Sequence, residues 1–116
     1  LYTSKLKNVN GIGLNPFPKN VKNNFSYFPI FIDEEKYGLS RDALYEKLTE
    51  NGVFGRRYFY PLISEFPIYN SLKSAKRSNL PIAYEISKKV ICLPMHTHLS
   101  ENEVNRISDI IFSFSK

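Results

Sequence analysis

The chain has 116 residues, a length that suits one domain with a real hydrophobic core and is too short for two. Hydrophobic residues make up 42% and charged residues 23%, which excludes disordered and fibrous classes, and every apolar stretch ends well short of the roughly 18 residues of a membrane span. The net charge of +5 permits nucleic acid, anionic lipid or phosphorylated ligands, but the basic residues are scattered, which favours a solvated surface.

Residues 1–23 combine glycines and prolines with lysines and asparagines and show little hydrophobic periodicity, so we interpret them as a connector. The chain starts without an initiator methionine or a signal-peptide pattern, and we expect it to be part of a longer protein. Its single cysteine, Cys92, cannot form an internal disulfide and lies in the apolar run VICLP. We therefore expect a buried, inert thiol and a reducing, cytoplasmic compartment.

The first regular element is predicted at residues 24–33, NFSYFPIFID, which are aromatic and β-branched and typical of a strand. Pro29 within it indicates an edge position or a bulge. Ser40 then precedes a helical pattern that stops at Asn51 and Gly52. Residues 52–60 predict a second extended segment, which Pro61 ends.

The second half of the chain predicts a short helix, a strand and a long helix. Pro81 stands near the start of LPIAYEISKK, whose last turn is basic, and KVICLP follows as a compact strand before the loop MHTH. Ser100 and Glu103 have the spacing of a capping box, and Leu99 and Val104 are placed for a hydrophobic staple. The order of the elements predicts an α+β fold in which helices cover one side of a small sheet.

Three motifs are spaced along the part of the chain after the predicted connector: GVFGRRYFYPLISEFPIY, NLPIAYEISKKVICLPMHTHL and SENEVNRISDII. In this order they resemble the C-terminal end of the DegT/DnrJ/EryC1/StrS family of aminotransferases. The resemblance covers residues 24–116. It implies that these residues form the small C-terminal domain of a fold type I enzyme, with a mostly antiparallel sheet of three to four strands.

The resemblance also implies an activity. Members of the family are homodimeric pyridoxal-phosphate enzymes that transfer an amino group, usually from glutamate, to the keto group of a nucleotide-linked deoxysugar. Their Schiff-base lysine, and the acid that faces the pyridine nitrogen, belong to a large cofactor-binding domain upstream of the small one. Because no lysine here matches that motif, we expect this chain alone to bind no cofactor and to have no transaminase activity.

Five residues are the candidates for substrate binding. Arg56 and Arg57 have guanidinium groups that can form bidentate hydrogen bonds with a phosphate or a carboxylate. Strand alternation would point the two side chains to opposite faces. Tyr58 and Tyr60 would share one face, with Arg57 and Phe59 on the other, and a tyrosine ring can stack on a sugar or a base.

His96 lies in a loop that the resemblance places near the cleft between the domains, and it is the fifth candidate. With His98 it could in principle bind a metal, but no third ligand stands at a recognisable spacing, so we expect no metal site.

Two other functions use the same residues. The net charge and the aromatic segments would suit a module that binds single-stranded nucleic acid by stacking its bases on exposed rings. In the RNP1 pattern, however, a basic residue precedes the glycine, whereas in GRRYFY the glycine comes first. An exposed apolar patch would instead suit a protein-interaction domain. We expect no membrane contact.

Overall fold

The computed structural model describes residues 1–16 and 18–116 and has the predicted α+β architecture. The elements in chain order are α1 (Tyr2–Leu6), β1 (Ile12–Leu14), β2 (Phe28–Ile32), α2 (Glu34–Tyr37), α3 (Arg41–Glu50), α4 (Pro81–Lys89), β3 (Val90–Leu93) and α5 (Glu101–Ser113). Three short 3₁₀ turns lie between α3 and α4, at Ile63–Glu65, Lys73–Ala75 and Arg77–Asn79. Among the described residues, no helix combines the length and apolar character that crossing a membrane requires.

The three strands form one antiparallel sheet in the order β1-β2-β3. Alternate residues of β2 are buried, as expected when one face of a sheet covers a core. That face meets α1, α3 and α5 in a single hydrophobic cluster. The side chains at its centre are Leu6, Ile30, Leu44, Leu48, Ile91 and Ile111.

The expectation that Pro29 marks an edge or a bulge is wrong, because β2 is the central strand. Pro29 stands opposite Cys92 in the register, yet the backbone N–H and C=O of Cys92 bond to Arg56 on the other side of β3. The backbone of Pro29 therefore faces β1, which ends at Leu14 opposite Ile30. The missing N–H of proline falls just beyond the end of β1 and leaves no ladder hydrogen bond unmade.

The extended segment predicted at residues 52–60 is not a strand. It pairs with β3 at one isolated bridge, where Arg56 N–H donates to the Cys92 carbonyl at 2.9 Å and Cys92 N–H donates to the Arg56 carbonyl at 2.8 Å. The chain turns immediately afterwards, at residues 58–60. A fourth strand is thus present only as a single residue, and side-chain alternation does not hold beyond it.

The connector predicted over residues 1–23 is wrong for its first part. Tyr2, Leu6, Val9 and Ile12 are buried in the core cluster, and they belong to α1, β1 and the turn between them. Gly11 makes this turn possible, because its φ is +75° and an added Cβ would lie 2.3 Å from the Tyr37 backbone nitrogen. Phe17, also within the predicted connector, lies outside the described residues.

The elements with clear capping signals agree with the prediction. The Ser40 side chain accepts a hydrogen bond from Ala43 N–H at the start of α3, and Pro81 occupies the first turn of α4. At the start of α5, Ser100 and Glu103 form a complete capping box. The strand predicted at residues 24–33 begins later, at Phe28. Before it, Asn23 Oδ1 accepts from Phe25 N–H and Asn24 Oδ1 accepts from Ser26 N–H, and these local bonds compete with strand pairing.

Candidate functional site

Two arginines and two tyrosines meet around one carboxylate at the start of α3. Arg57 Nη1 donates to Asp42 Oδ1 at 2.8 Å. The Arg57 guanidinium carbon lies 4.4 Å from the centre of the Tyr45 ring and 5.3 Å from that of Tyr60, and the Arg41 guanidinium carbon lies 4.5 Å from the same Tyr60 ring. We call Arg41, Asp42, Tyr45, Arg57 and Tyr60 the arginine–tyrosine cluster. Two cations against one anion make it a favourable place for a further anion.

The local structure of α3 positions three members of the cluster. Ser40 fixes the first turn as the N-cap, so Arg41 and Tyr45 stand one turn apart on the same helix face. Asp42 lies in that first turn, where the helix dipole favours a carboxylate.

The two arginines differ in their freedom to bind a ligand. Arg41 is 2% exposed, and its Nη1 donates to the carbonyls of Ser87 at 2.8 Å and Val90 at 3.2 Å, at the junction of α4 and β3. Its Nε lies 2.9 Å from Asp42 Oδ1 without hydrogen-bond geometry. The Arg57 side chain is 34% exposed, and no protein acceptor for its Nε or Nη2 is found in the described part of the chain. Arg41 therefore has a structural role, whereas Arg57 has guanidinium N–H groups that can donate to a ligand.

A cavity of about 440 Å³ lies between β3, the segment after α3 and the first half of α5. Its floor is apolar and includes the buried residues Val53, Leu93 and Ile107. Its polar and aromatic lining consists of Ser26, Tyr27, Phe54, Arg56, His96, Glu103 and Arg106. A volume of this size lies in the range of small-molecule sites.

The charged groups of the cavity are held by neighbours. Arg56 Nη1 donates to the Tyr58 hydroxyl at 2.8 Å, and the Arg106 guanidinium donates to the Asn51 carbonyl. Glu103 Oε2 accepts from Ser100 N–H at 2.8 Å, and this bond is the main cause that lowers the pKa of the Glu103 carboxyl.

The buried thiol of Cys92 also lines the cavity, and burial raises its pKa. The expectation of a buried cysteine is confirmed.

The five predicted binding residues separate into two places. Arg56 and His96 line the cavity, and Tyr58 contacts Arg56 there with its ring 5.1 Å from that of Tyr27. Arg57 and Tyr60 belong to the arginine–tyrosine cluster. The two arginines thus diverge as expected. The prediction that Tyr58 and Tyr60 share a face is wrong, because the turn at residues 58–60 replaces strand alternation.

The histidines do not form a metal centre in the part of the chain that the structure describes. His98 is exposed beyond the cavity. Among the described residues, no group of three or more His, Cys, Asp and Glu side chains is placed to hold a metal ion.

Comparison with known proteins matches the chain to one family. A profile of the "DegT/DnrJ/EryC1/StrS aminotransferase family" matches residues 1–112. The chain belongs to this family.

Among characterised relatives, it is 46% identical over 111 residues to a dTDP-4-amino-4,6-dideoxy-D-glucose transaminase of Escherichia coli, covering 96% of this chain and 30% of the relative. A transaminase of the same name from Shigella dysenteriae is 41% identical over 111 residues, covering 95% and 29%.

The fold agrees with solved structures of the family. The crystal structure of DesI in the presence of its TDP-sugar product superposes with a TM-score of 0.86 at 28% identity, over 97% of this chain and 28% of that chain. The chain therefore spans about 30% of the length of the relatives that it matches. The α+β fold with a small antiparallel sheet is that of the corresponding part of a DegT-family enzyme.

DegT-family aminotransferases depend on pyridoxal phosphate, but the described residues of the two sites above do not fit the cofactor. A lysine must hold the cofactor as an imine, and no lysine is found among the described residues that line the cavity or form the arginine–tyrosine cluster. The polar groups gathered at the two sites are guanidinium, phenol, imidazole and carboxylate groups.

Several residues of the two sites were missed by sequence reasoning. Asp42 and Tyr45 stand in the sequence as ordinary first-turn and mid-helix residues of α3, and only the fold brings them to Arg57. The one available signal is the spacing of Arg41 and Tyr45, which places them on one helix face. Arg106 and Tyr27 in the cavity carried no signal at all.

Proposed function

We propose that this chain is the small C-terminal domain of a pyridoxal-phosphate aminotransferase that aminates a nucleotide-linked keto-deoxysugar. The observation that carries the proposal is the 46% identity, over 96% of the chain, to a dTDP-4-amino-4,6-dideoxy-D-glucose transaminase. An amino group on carbon 4 of that sugar replaces a carbonyl oxygen, so the acceptor would be a dTDP-linked 4-keto-6-deoxyhexose. With glutamate as donor, the products are the amino sugar and 2-oxoglutarate.

Within this function we assign the arginine–tyrosine cluster to the substrate. Arg57 has two guanidinium nitrogens without a protein acceptor among the described residues, and a diphosphate or a carboxylate can accept from both. The Tyr60 ring beside it gives a flat surface for the sugar or the base. Arg56, Tyr58 and His96 are assigned to a second contact region at the cavity.

The parent enzyme would be a cytoplasmic homodimer in which the large domain holds the cofactor. Because no lysine is found in either site among the described residues, the chain alone would bind no pyridoxal phosphate and transfer no amino group. Catalysis would then require the large domain, and the small domain would contribute substrate binding.

The test is to purify the full-length product of the native gene. We expect a protein about three times the mass of this chain, a bound pyridoxal chromophore, and release of 2-oxoglutarate that depends on both glutamate and the keto sugar. A product of only 116 residues, or a longer one with no chromophore and no turnover, would refute the proposal.

Site variants in the full-length enzyme test the assignment of residues. Arg57→Ala should raise the KM for the nucleotide sugar by roughly 10- to 100-fold, because it removes charge-assisted hydrogen bonds worth about 1.5–3 kcal/mol. Lys47→Ala is the matched control, since Lys47 pairs with Glu50 on the exposed part of α3. An unchanged KM for Arg57→Ala would remove Arg57 from the site.

A further inference from the structure

Residues 59–89 form a long segment in which almost no side chain is buried, and we call this segment the arm. All of them are described, and Ser87 alone among them is buried. Outside α4, its backbone hydrogen bonds join residues three or four positions apart and so add no contact with the sheet. The arm exposes nine large apolar side chains: Phe59, Tyr60, Ile63, Phe66, Ile68, Tyr69, Leu72, Ile82 and Ile86.

The shape of the molecule agrees with an uncovered arm. Its Cα radius of gyration is 15.5 Å, whereas about 13 Å is expected for a compact domain of this length. Ile68 and Ile82 are 75% and 77% exposed, more than any other large apolar side chain of the described residues. Ordering a residue costs conformational entropy that burial must offset, and the described residues of this chain provide little such burial for the arm.

We infer that the arm is a docking element covered by the large domain of the same enzyme; this inference rests on the proposed function. The charges of the arm indicate the chemistry of the covering surface. Both acids of the arm are engaged within the chain, Glu65 with Arg77 at 2.8 Å and Glu85 with Lys88 at 3.9 Å.

Lys73 and Lys76 are exposed, and no ion pair is found for either in the described structure. The complementary surface is apolar with carboxylates at its rim. A second copy of the arm is a poor match, because both of its acids are already paired and it carries the same unpaired lysines.

The position of the arm connects this docking to the substrate site. Tyr60 stands at the start of the arm and packs against Arg41 and Arg57. A surface that covers the arm therefore also closes over the arginine–tyrosine cluster. The exposed donors of Arg57 would then lie at the junction of the two domains, and a bound nucleotide sugar would be enclosed from both sides.

Hydrogen exchange in the full-length protein tests whether the arm is covered. We expect amides of residues 59–80 to exchange at least about tenfold more slowly than freely exposed amides, although these residues have only local hydrogen bonds here. Ile68→Asp and Ile82→Asp should abolish that protection. Val21→Asp is the matched control, because Val21 is a similarly exposed apolar residue outside the arm, and it should leave the protection unchanged. An unprotected arm, or protection that both arm variants retain, would overturn the inference.

Zero-length cross-linking of the unmodified full-length protein identifies the covering surface. A carbodiimide joins an amine to a carboxylate in direct contact, so Lys73 or Lys76 should be linked to acids outside the present 116 residues. Links to residues 1–116 of another copy, or no links from these lysines, would overturn the large domain as the occupant. Transaminase activity is measured on the same preparation: a covered but inactive protein would refute the proposed function alone, and an active protein with a free arm would refute this inference alone.

Discussion

Replacement of Arg41 by alanine should destabilise this domain strongly, because its guanidinium is buried and hydrogen bonded within the protein. The Arg41 side chain is 2% exposed and donates to two carbonyls at the α4–β3 junction, those of Ser87 and Val90. Each buried carbonyl left without a donor costs about 1–3 kcal/mol. The variant also removes a buried cation, whose desolvation is unfavourable and offsets part of that cost. The free energy of unfolding should therefore fall by about 2–4 kcal/mol. Urea unfolding of the chain, followed by far-ultraviolet circular dichroism, measures this loss.

Three variants make the Arg41 measurement decisive. Arg41→Lys keeps the charge but not the planar fork, so we expect a loss of about 1–2 kcal/mol. Lys47→Ala breaks an exposed, solvent-screened ion pair and should leave the free energy of unfolding nearly unchanged. Arg57→Ala removes the other guanidinium that contacts Asp42, and because that side chain is partly exposed the loss should stay below about 1 kcal/mol. If Arg41→Ala were no more costly than Lys47→Ala, the two carbonyls would have other partners and the reasoning would fail.

Other expectations concern the caps, the thiol and the site. Ser100→Ala should lower the free energy of unfolding of the chain by about 1 kcal/mol in urea, and no loss would contradict the capping box. The lowered pKa of Glu103 means that its carboxylate stabilises the fold at neutral pH and that this contribution disappears as the pH falls through the lowered pKa. The stability difference between the wild type and Glu103→Gln should therefore begin to shrink below the usual glutamate pKa of about 4.3 and vanish only below the lowered pKa, whereas a constant difference would exclude this role.

The Cys92 thiol should react with a thiol reagent at least about tenfold more slowly in the native chain than in urea, since burial both shields it and raises its pKa. In the full-length enzyme, Asp42→Asn should raise the KM for the nucleotide sugar by roughly 3- to 10-fold, less than Arg57→Ala does, because it loosens the guanidinium without removing it. A KM that only the Arg57 variant changes would show that Asp42 does not position that group.

Local chemistry explains which elements could be predicted from the sequence. The start of α5 is determined by Ser100 and Glu103, two residues three apart whose side chains satisfy each other's backbone groups, so no distant contact is needed. α3 and α4 are similar, with Ser40 and Pro81 at their first turns. By contrast, α1 and β1 have no such signals, and they are stabilised by the burial of Tyr2, Leu6 and Ile12 against elements far along the chain.

The candidate site could be predicted only in part for the same reason. Arg56 and Arg57 stand out as adjacent arginines in an aromatic run, and the structure does use them in two different places. Their partners depend on tertiary structure: Asp42 is 15 residues from Arg57, and Arg41 is 46 residues from Ser87. The face assigned to Tyr60 was wrong because an alternation rule for strands was applied to residues that form a turn.

The arginine–tyrosine cluster lies where a well-packed core meets an uncovered arm. Variants on its two sides should therefore differ: those on the core side change the stability of this domain, and those on the arm side change only the full-length enzyme. Arg41 is hydrogen bonded to the junction from which β3 enters the core, so its loss should appear in the unfolding of this domain by itself. Ile68 and Ile82 contribute nothing to that core, so their replacement by aspartate should leave the stability of the chain nearly unchanged and affect only the full-length enzyme. Tyr60 belongs to the arm, and Arg57 lies next to the arm with its guanidinium against the Tyr60 ring. A binding defect at Arg57 is therefore informative only when hydrogen exchange shows the arm still covered, since an uncovered arm would weaken substrate binding without any change in the guanidinium itself.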